Sequence, residues 1–211
     1  MTARQTLPMV GPDEMNGPVT VTLKDGTGAL LRPVIQEDKW RIAKGLAQMS
    51  PQSRYLRFFT STAKLTEEQL RYFTEVDQED HVAWIAVDPT APQQDGLGIA
   101  RFIRTTENPR VAEMAFTVID DRQHNGLGTY LLGVLYLMAQ ARGVEVLRAI
   151  VLPENHRVTE WIRRLGGKSV FGPGLDQMDL PVARELSLMS TSPETCQFRR
   201  VLEDLEAGLR G

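Results

Sequence analysis

The stretch VAEMAFTVIDDRQHNGLG, Val111 to Gly128, decides how this chain is read. Val111 to Ile119 has the Val, Ala and Phe content of a strand. A loop then leads to Gly126 and Gly128, which open the strongest helix in the sequence, Leu127 to Arg142. Leu127, Leu131, Val134, Leu135 and Met138 recur there at helical spacing, and Gly143 ends the pattern. Loop amides followed by the free N–H groups of a helix start make a cradle for an anion. Glycine lets a diphosphate approach the backbone without a Cβ in the way. Gln123 to Thr129 therefore reads either as the seat of a diphosphate-bearing cofactor or as an ordinary tight turn.

Spacing narrows the first option. A dinucleotide fingerprint needs a third glycine three residues after Gly128, where Leu131 stands, and a P-loop needs Gly-Lys-Ser/Thr, where the chain has Gly128-Thr129-Tyr130. Outward from this centre, Val19 to Leu23 and Ala29 to Ile35 read as strands around the Asp25-Gly26 turn. Glu37 to Met49 reads as a helix with Trp40, Ile42, Ala43, Leu46, Ala47 and Met49 mostly inward. A second helix follows Ser50-Pro51 through Phe59, and a third is capped by Thr66. His81 to Asp88, Gly96 to Thr106 and Val111 to Ile119 are strands joined by short turns, which predicts an antiparallel meander. Glu145 to Leu152 follows the long helix, and such a strand–helix–strand crossover predicts a parallel neighbour. Asn155 to Leu165 is a further helix. Ser169 to Phe171 and Gln177 to Leu180 are short strands around Gly172-Pro173-Gly174. Ser192-Pro193 opens a last helix whose Phe198, Val201, Leu202, Leu205 and Leu209 form one stripe. That stripe predicts packing on the same domain or a homodimer contact.

The chain has 211 residues, 42% hydrophobic and 24% charged, with 24 Lys and Arg against 27 Asp and Glu. These values exclude a disordered chain and a membrane bundle, and a net charge of −3 disfavours a nucleic-acid module. The expected organisation is a flexible arm over 1–18, one domain over 19–181, and a linker with a helix over 182–211. Met1 to Gly17 has no apolar targeting segment, and no apolar run approaches the about 18 residues of a membrane span. With a single cysteine, Cys196, the sequence predicts a cytoplasmic protein without disulfides. His81, His124 and His156 lack ligand spacing, so no metal is expected.

Gln123-His124-Asn125-Gly126-Leu127-Gly128 resembles the Q/R-x-x-G-x-G/A acyl-CoA loop of the GNAT superfamily of N-acyltransferases. The resemblance extends over most of Ala29 to Leu180. Within it, Ser53 to Phe59 and Ala112 to Val118 are similar to the catalytic domain of bacterial Pat-type protein-lysine acetyltransferases. Some of those carry a cyclic-nucleotide-binding domain, for which this chain has no room. The resemblance implies an α/β (α+β) fold with a mixed, mostly antiparallel sheet splayed between two parallel strands and flanked by helices. Acetyl-CoA would lie in the splay, its pantetheine arm pairing with the backbone of Phe116, Thr117 and Val118. Its pyrophosphate would sit on the amides of His124, Asn125, Gly126, Leu127, Gly128 and Thr129. Asn155 matches the position that contacts the pantetheine arm, or is a plain helix cap. Arg164 approaches the cofactor, or belongs to a solvated face with Arg163. Arg54 and Arg57 hold an acidic partner or the cofactor, or simply pack with solvated heads.

An amine of pKa about 10.4 is neutral in only about one molecule in 2,500 at pH 7, a deprotonation cost of about 4.6 kcal/mol. A carboxylate near the cleft can receive that proton. Glu113 matches the catalytic glutamate of the Pat-like domains, and partial burial on its strand would make it a better acceptor; otherwise it is an outward-facing charge on the strand. A backbone N–H near Phe116 is the expected donor to the thioester oxygen. Many GNAT members protonate the leaving thiolate with a tyrosine seven residues after the asparagine; here that position is Ile162. The expected function is acetyl transfer from acetyl-CoA to a primary amine, a protein lysine in the first instance. A small amine such as a polyamine or antibiotic is the rival acceptor, and a non-catalytic acyl-CoA sensor is the rival class.

Overall fold

In β1 (Val19–Thr22), Val19 and Val21 turn inward and Thr20 and Thr22 outward, the period of a half-buried strand. It pairs antiparallel with β2 (Gly28–Pro33) across the turn at Gly26, whose φ of +81° suits glycine. The computed structural model describes residues 17–59, 65–91, 95–171 and 176–210. Most of the expected arm, the end of the 88–94 turn and the Gly172-Pro173-Gly174 turn lie outside them.

Three helices follow: α1 (Lys39–Gln48), α2 (Pro51–Phe58) and α3 (Glu67–Thr74). Ser50 caps α2 by accepting from Ser53 N, with Pro51 at the first helical position. Thr66 and Gln69 form a reciprocal capping box on α3. In α1 the expected inward face is corrected. Trp40 is 43% exposed and Ala47 is exposed, whereas Arg41, Gly45 and Leu46 are buried. The reason is Asp38, a fully buried carboxylate just before α1. It accepts from both terminal nitrogens of Arg32 at 2.7 Å, from Arg41 at 3.0 Å and from Ile35 N at 3.0 Å. That network rotates α1 so that Arg41 turns in and Trp40 turns out.

The meander is present as β3 (His81–Val87), β4 (Gly96–Arg104) and β5 (Val111–Val118). Beyond it come α4 (Leu127–Ala141), β6 (Val146–Val151), α5 (His156–Arg164), β7 (Lys168–Phe171), β8 (Asp176–Pro181) and α6 (Pro193–Arg210). The eight-stranded sheet runs β1-β2-β3-β4-β5-β6-β8-β7, and among the described residues its only parallel pair is β5 with β6. The larger core joins Trp84, Phe102 and Met114 to α4 and α6, and a smaller one holds Val34, Ala83, Ile85 and Val87 on the other face.

The α6 stripe resolves within the chain. Phe198, Leu202 and Leu205 are buried, Phe198 meeting Tyr136 of α4 edge-on at 5.6 Å and Leu205 reaching toward Gly133. Those side chains are therefore unavailable as the homodimer face offered by the sequence. Among the described residues no helix is long and apolar enough to cross a membrane, and no group of three metal-ligating side chains forms.

Candidate functional site

β5 and β6 pair only from Val111↔Val146 to Met114↔Ala149. Beyond that point β5 stays with β4 and β6 stays with β8, so the sheet opens. Antiparallel pairing turns alternate residues' N–H and C=O toward the same neighbour. Thr105 N bonds Val111 O and Ile119 N bonds Leu97 O, which directs the odd-numbered main-chain groups of β5 to β4. The even-numbered groups face the gap, where Phe116 N–H and C=O and Val118 N–H are left open while Val118 O accepts from Gln123 Nε2. The open groups form an unpaired strand edge of the kind that an extended ligand can join.

The gap is one wall of a cleft of about 700 Å³. Of the residues singled out in the sequence, Glu113, Phe116, Thr117, Val118, Gln123, His124, Gly128, Thr129, Asn155 and Arg164 line it. Asn125, Gly126 and Leu127 are not among the lining residues, and Leu127 is fully buried in the larger core.

The loop backbone has the conformation that an anion cradle needs. His124 adopts φ +66° and Gly126, the N-cap of α4, φ +97°. Gly126 offers no side chain to cap the helix, and the first turn of α4 contains no acid. Two amides are already engaged: Leu127 N donates to Asn125 Oδ1 at 3.2 Å and Thr129 N to Gly126 O at 2.9 Å. Among the described residues the amides of His124, Asn125, Gly126 and Gly128 have no such acceptor. The cradle is thus narrower than the run of six amides that the motif suggested. The N-terminal dipole of α4 adds to its pull on an anion.

Gln123 fixes the loop to the strand, its Nε2 donating to Val118 O at 3.2 Å and Asp120 Oδ1 at 3.1 Å. Asp120 also accepts from Ser53 Oγ at 2.6 Å and Ser50 N at 2.8 Å, tying the start of α2 to the same loop. Burial opposes its charge, but these donors prevail and hold its carboxyl below the usual carboxylate range. Asn155 is both a cap, accepting from Val158 N at 3.4 Å, and a cleft residue. Arg164 is held by Glu160 at 3.1 Å. Trp161 meets Phe116 edge-on at 5.4 Å and so connects α5 to β5 across the opening.

Glu113 is exposed at the cleft, the outward-facing of the two strand positions open in the sequence and not the part-buried one. It stands between two guanidinium groups whose charge it favours. Arg148, beside it on β6, is held by Asp179 through two contacts of 2.8 Å. Arg57 donates from Nε to Thr117 Oγ1 at 3.0 Å. Ile162, where many GNAT enzymes place a tyrosine, is fully buried.

Several cleft residues escaped the sequence reading. Lys24, at the β1–β2 turn, donates from its backbone N to Asn125 O and lies along Gly126. Arg157 sets its guanidinium 2.9 Å from the His124 ring nitrogens. Both are cations near the cradle, and neither has a local motif to mark it. Only the fold brings residue 24 to residue 126.

The family model described as an acetyltransferase (GNAT) domain matches residues 29–168. The acetyltransferase Pat of Mycolicibacterium smegmatis is 35% identical over 167 residues, 78% of this chain and 49% of that protein. The chain thus spans about half the length of that relative. The crystal structure of the GNAT domain of S. lividans PAT superposes with a TM-score of 0.71 at 27% identity, covering 78% of this chain and 96% of that one. A phosphinothricin acetyltransferase from Sinorhizobium meliloti, solved with AcCoA, shares the fold at 18% identity and a TM-score of 0.60, covering 79% and 97%. The open β5–β6 pair, the glycine-entered helix and these matches agree: the chain belongs to the GNAT acetyltransferase family.

Proposed function

We propose that this protein transfers the acetyl group of acetyl-CoA to a lysine side chain of a protein. The observation that carries the reading is the opposition of two features across one cleft. Unengaged amides at the start of α4 lie on one side, and an exposed carboxylate, Glu113, lies on the other. The diphosphate would rest on the amides of His124, Asn125, Gly126 and Gly128, with Lys24 and Arg157 adding charge. The pantetheine arm would pair with the free edge at Phe116 and the Val118 N–H.

The acceptor amine attacks the thioester carbonyl and loses its proton to Glu113, directly or through water. The Phe116 N–H, aimed into the gap, suits the oxygen on which negative charge develops. The C–S bond then breaks and the thiolate leaves. With Ile162 buried, its proton comes from solvent. A protein acceptor fits the exposed Glu113 and the exposed Phe59 that lines the cleft, 46% accessible. A polyamine would need an enclosed acidic pocket. Here the lining cations Lys24, Arg57, Arg157 and Arg164 outnumber Glu113 and Glu160. A lone cysteine and an acetyl-CoA co-substrate fit a cytoplasmic setting.

The test is thiol release from acetyl-CoA with a proteome lysate and an amine panel as acceptors, products being read by mass spectrometry. Glu113→Gln should lower turnover at pH 7 by about 10²–10⁴-fold while acetyl-CoA still binds. Undiminished turnover would remove Glu113 from the mechanism. Binding without turnover in the native protein would favour the sensor reading.

A further inference from the structure

Next to the cleft, between α1 and the sheet, lies a second and smaller hollow of about 50 Å³. Ile42, Leu46, Met49, Ile85, Ile99 and Ile119 present carbon to it. Arg41 also borders it, but its guanidinium is turned to Asp38. Thr117 borders it too, and its Oγ1 already accepts from Arg57 Nε at 3.0 Å. A water molecule there would find few partners, so the recess suits an apolar occupant. Carbon walls with nothing against them forgo contact energy until something fills the space.

Met49 and Thr117 line the recess and the cleft alike, so their side chains form the partition between the two. Thr117 is held by Arg57, whereas Met49, just past the end of α1, has an unbranched thioether chain that repacks readily. Thr117 also follows Phe116, whose N–H faces the thioester oxygen in the acetyl-transfer reading. Ile99 is the cross-strand partner of Thr117 on β4 and carries the same sheet face on into the recess. The recess thus begins one residue from the place of the acyl carbonyl.

We propose that it is an acyl-chain pocket gated by Met49, and that the protein transfers propionyl and butyryl groups in preference to acetyl. This rests on the acetyl-transfer reading and adds the size of the group transferred. A dry cavity of about 150 Å³ holds the six carbons of benzene, about 25 Å³ each, so about 50 Å³ takes the two carbons by which butyryl exceeds acetyl and not the four of hexanoyl. The bond changes are the same for every chain length. The amine nitrogen bonds the acyl carbon as the C–S bond breaks, the amine proton passes to Glu113, and the thiolate takes a proton from solvent.

Calorimetry with acetyl-, propionyl-, butyryl- and hexanoyl-CoA in the absence of acceptor reads binding alone, and thiol release with a proteome lysate reads transfer. Each methylene buried should tighten binding about fourfold. Butyryl-CoA should therefore bind about 10- to 20-fold more tightly than acetyl-CoA, and hexanoyl-CoA more weakly than butyryl-CoA. Gly45→Ala tests the location. A Cβ on Gly45 lies 3.4 Å from Gly96 O and 3.8 Å from Ile119 Cγ2, and both residues border the recess. The added methyl takes about half of the space. Alanine also suits a helix interior better than glycine, so the variant should fold. Its butyryl-to-acetyl ratio should fall to about one or lower. Met49→Ala removes the gate and should raise the hexanoyl-to-acetyl ratio; an unchanged ratio there would remove Met49 as the gate. A butyryl-to-acetyl binding ratio above one that falls in Gly45→Ala upholds the pocket. If that result comes with no transfer from any donor, the pocket stands and the acetyl-transfer reading falls. A native ratio of one or less, or a ratio that Gly45→Ala leaves unchanged, would overturn the pocket even where acetyl is transferred.

Discussion

Replacing Gly126 by Glu and, separately, by Gln isolates the electrostatics of the cradle. Gly126 has φ +97°, so either side chain pays the same backbone strain, about 1–2 kcal/mol. Space does not distinguish them. A Cβ at this position meets only the Lys24 side chain, at 3.5 Å or more, an ordinary contact. What differs is one negative charge beside the proposed phosphates. At a separation of about 5 Å, two unit charges repel by about 0.8 kcal/mol in a water-like medium and about 3 kcal/mol at an effective dielectric near 20. The Glu variant should therefore bind CoA about 4- to 150-fold more weakly than the Gln variant, with Lys24 pulling toward the lower figure. Both should lose the same stability in urea. Calorimetric titration with CoA at low salt reads the difference, and added salt should shrink it. Equal CoA affinity in the two variants would refute the placement of the diphosphate at this helix start.

Three further outcomes follow from the structure. Asp38→Ala leaves Arg32 and Arg41 without their buried acid and should cost about 3–5 kcal/mol by urea denaturation; a loss under 1 kcal/mol would contradict that. Burial opposes the Asp38 charge, yet the hydrogen bonds from Arg32 and Ile35 and the nearby guanidinium charges outweigh it and lower its pKa. Its contribution is thus complete above the unfolded value near 3.8 and is lost as pH falls through the lower folded value. His81 is pushed down from 6.5 to about 4, first by burial and then by Arg101. The unfolded chain takes up its proton first, so this group makes stability fall with pH between those values. An NMR titration should find its ring neutral at pH 5.5, and a midpoint near 6.5 would count against the packing. Gly133→Leu drives a side chain into Leu205, already 2.7 Å from a Cβ position, and should cost about 1–3 kcal/mol as α6 is forced off α4. An unchanged melting temperature would mean that α6 does not dock there.

Local chemistry made most of the fold legible. Alternation at Val19–Thr22, the Ser50-Pro51 and Thr66 caps, and the glycines around α4 each act within a few residues. Their elements appear where the sequence put them. The crossover through α4 required a parallel neighbour, and β6 supplies it. What escaped depends on distant partners. Trp40 has the composition of a core residue and faces out, because the buried Asp38 pair sets the rotation of α1. Asp38 itself looks in sequence like any acid at a helix start. The site divides along the same line. The glycine loop and Glu113 sit on contiguous motifs, whereas Lys24 and Arg157 reach the cleft from separate elements. The width of the cradle was also hidden, since Asn125 Oδ1 and Gly126 O occupy two of its amides by hydrogen bonds within the loop.

The most direct measurement follows backbone amide resonances while CoA is titrated into the protein. The signals of His124, Asn125, Gly126 and Gly128 should move downfield and gain protection from exchange, while those of Leu127 and Thr129, already bonded, change little. Saturation with CoA while those four resonances stay in place would mean that the diphosphate binds elsewhere.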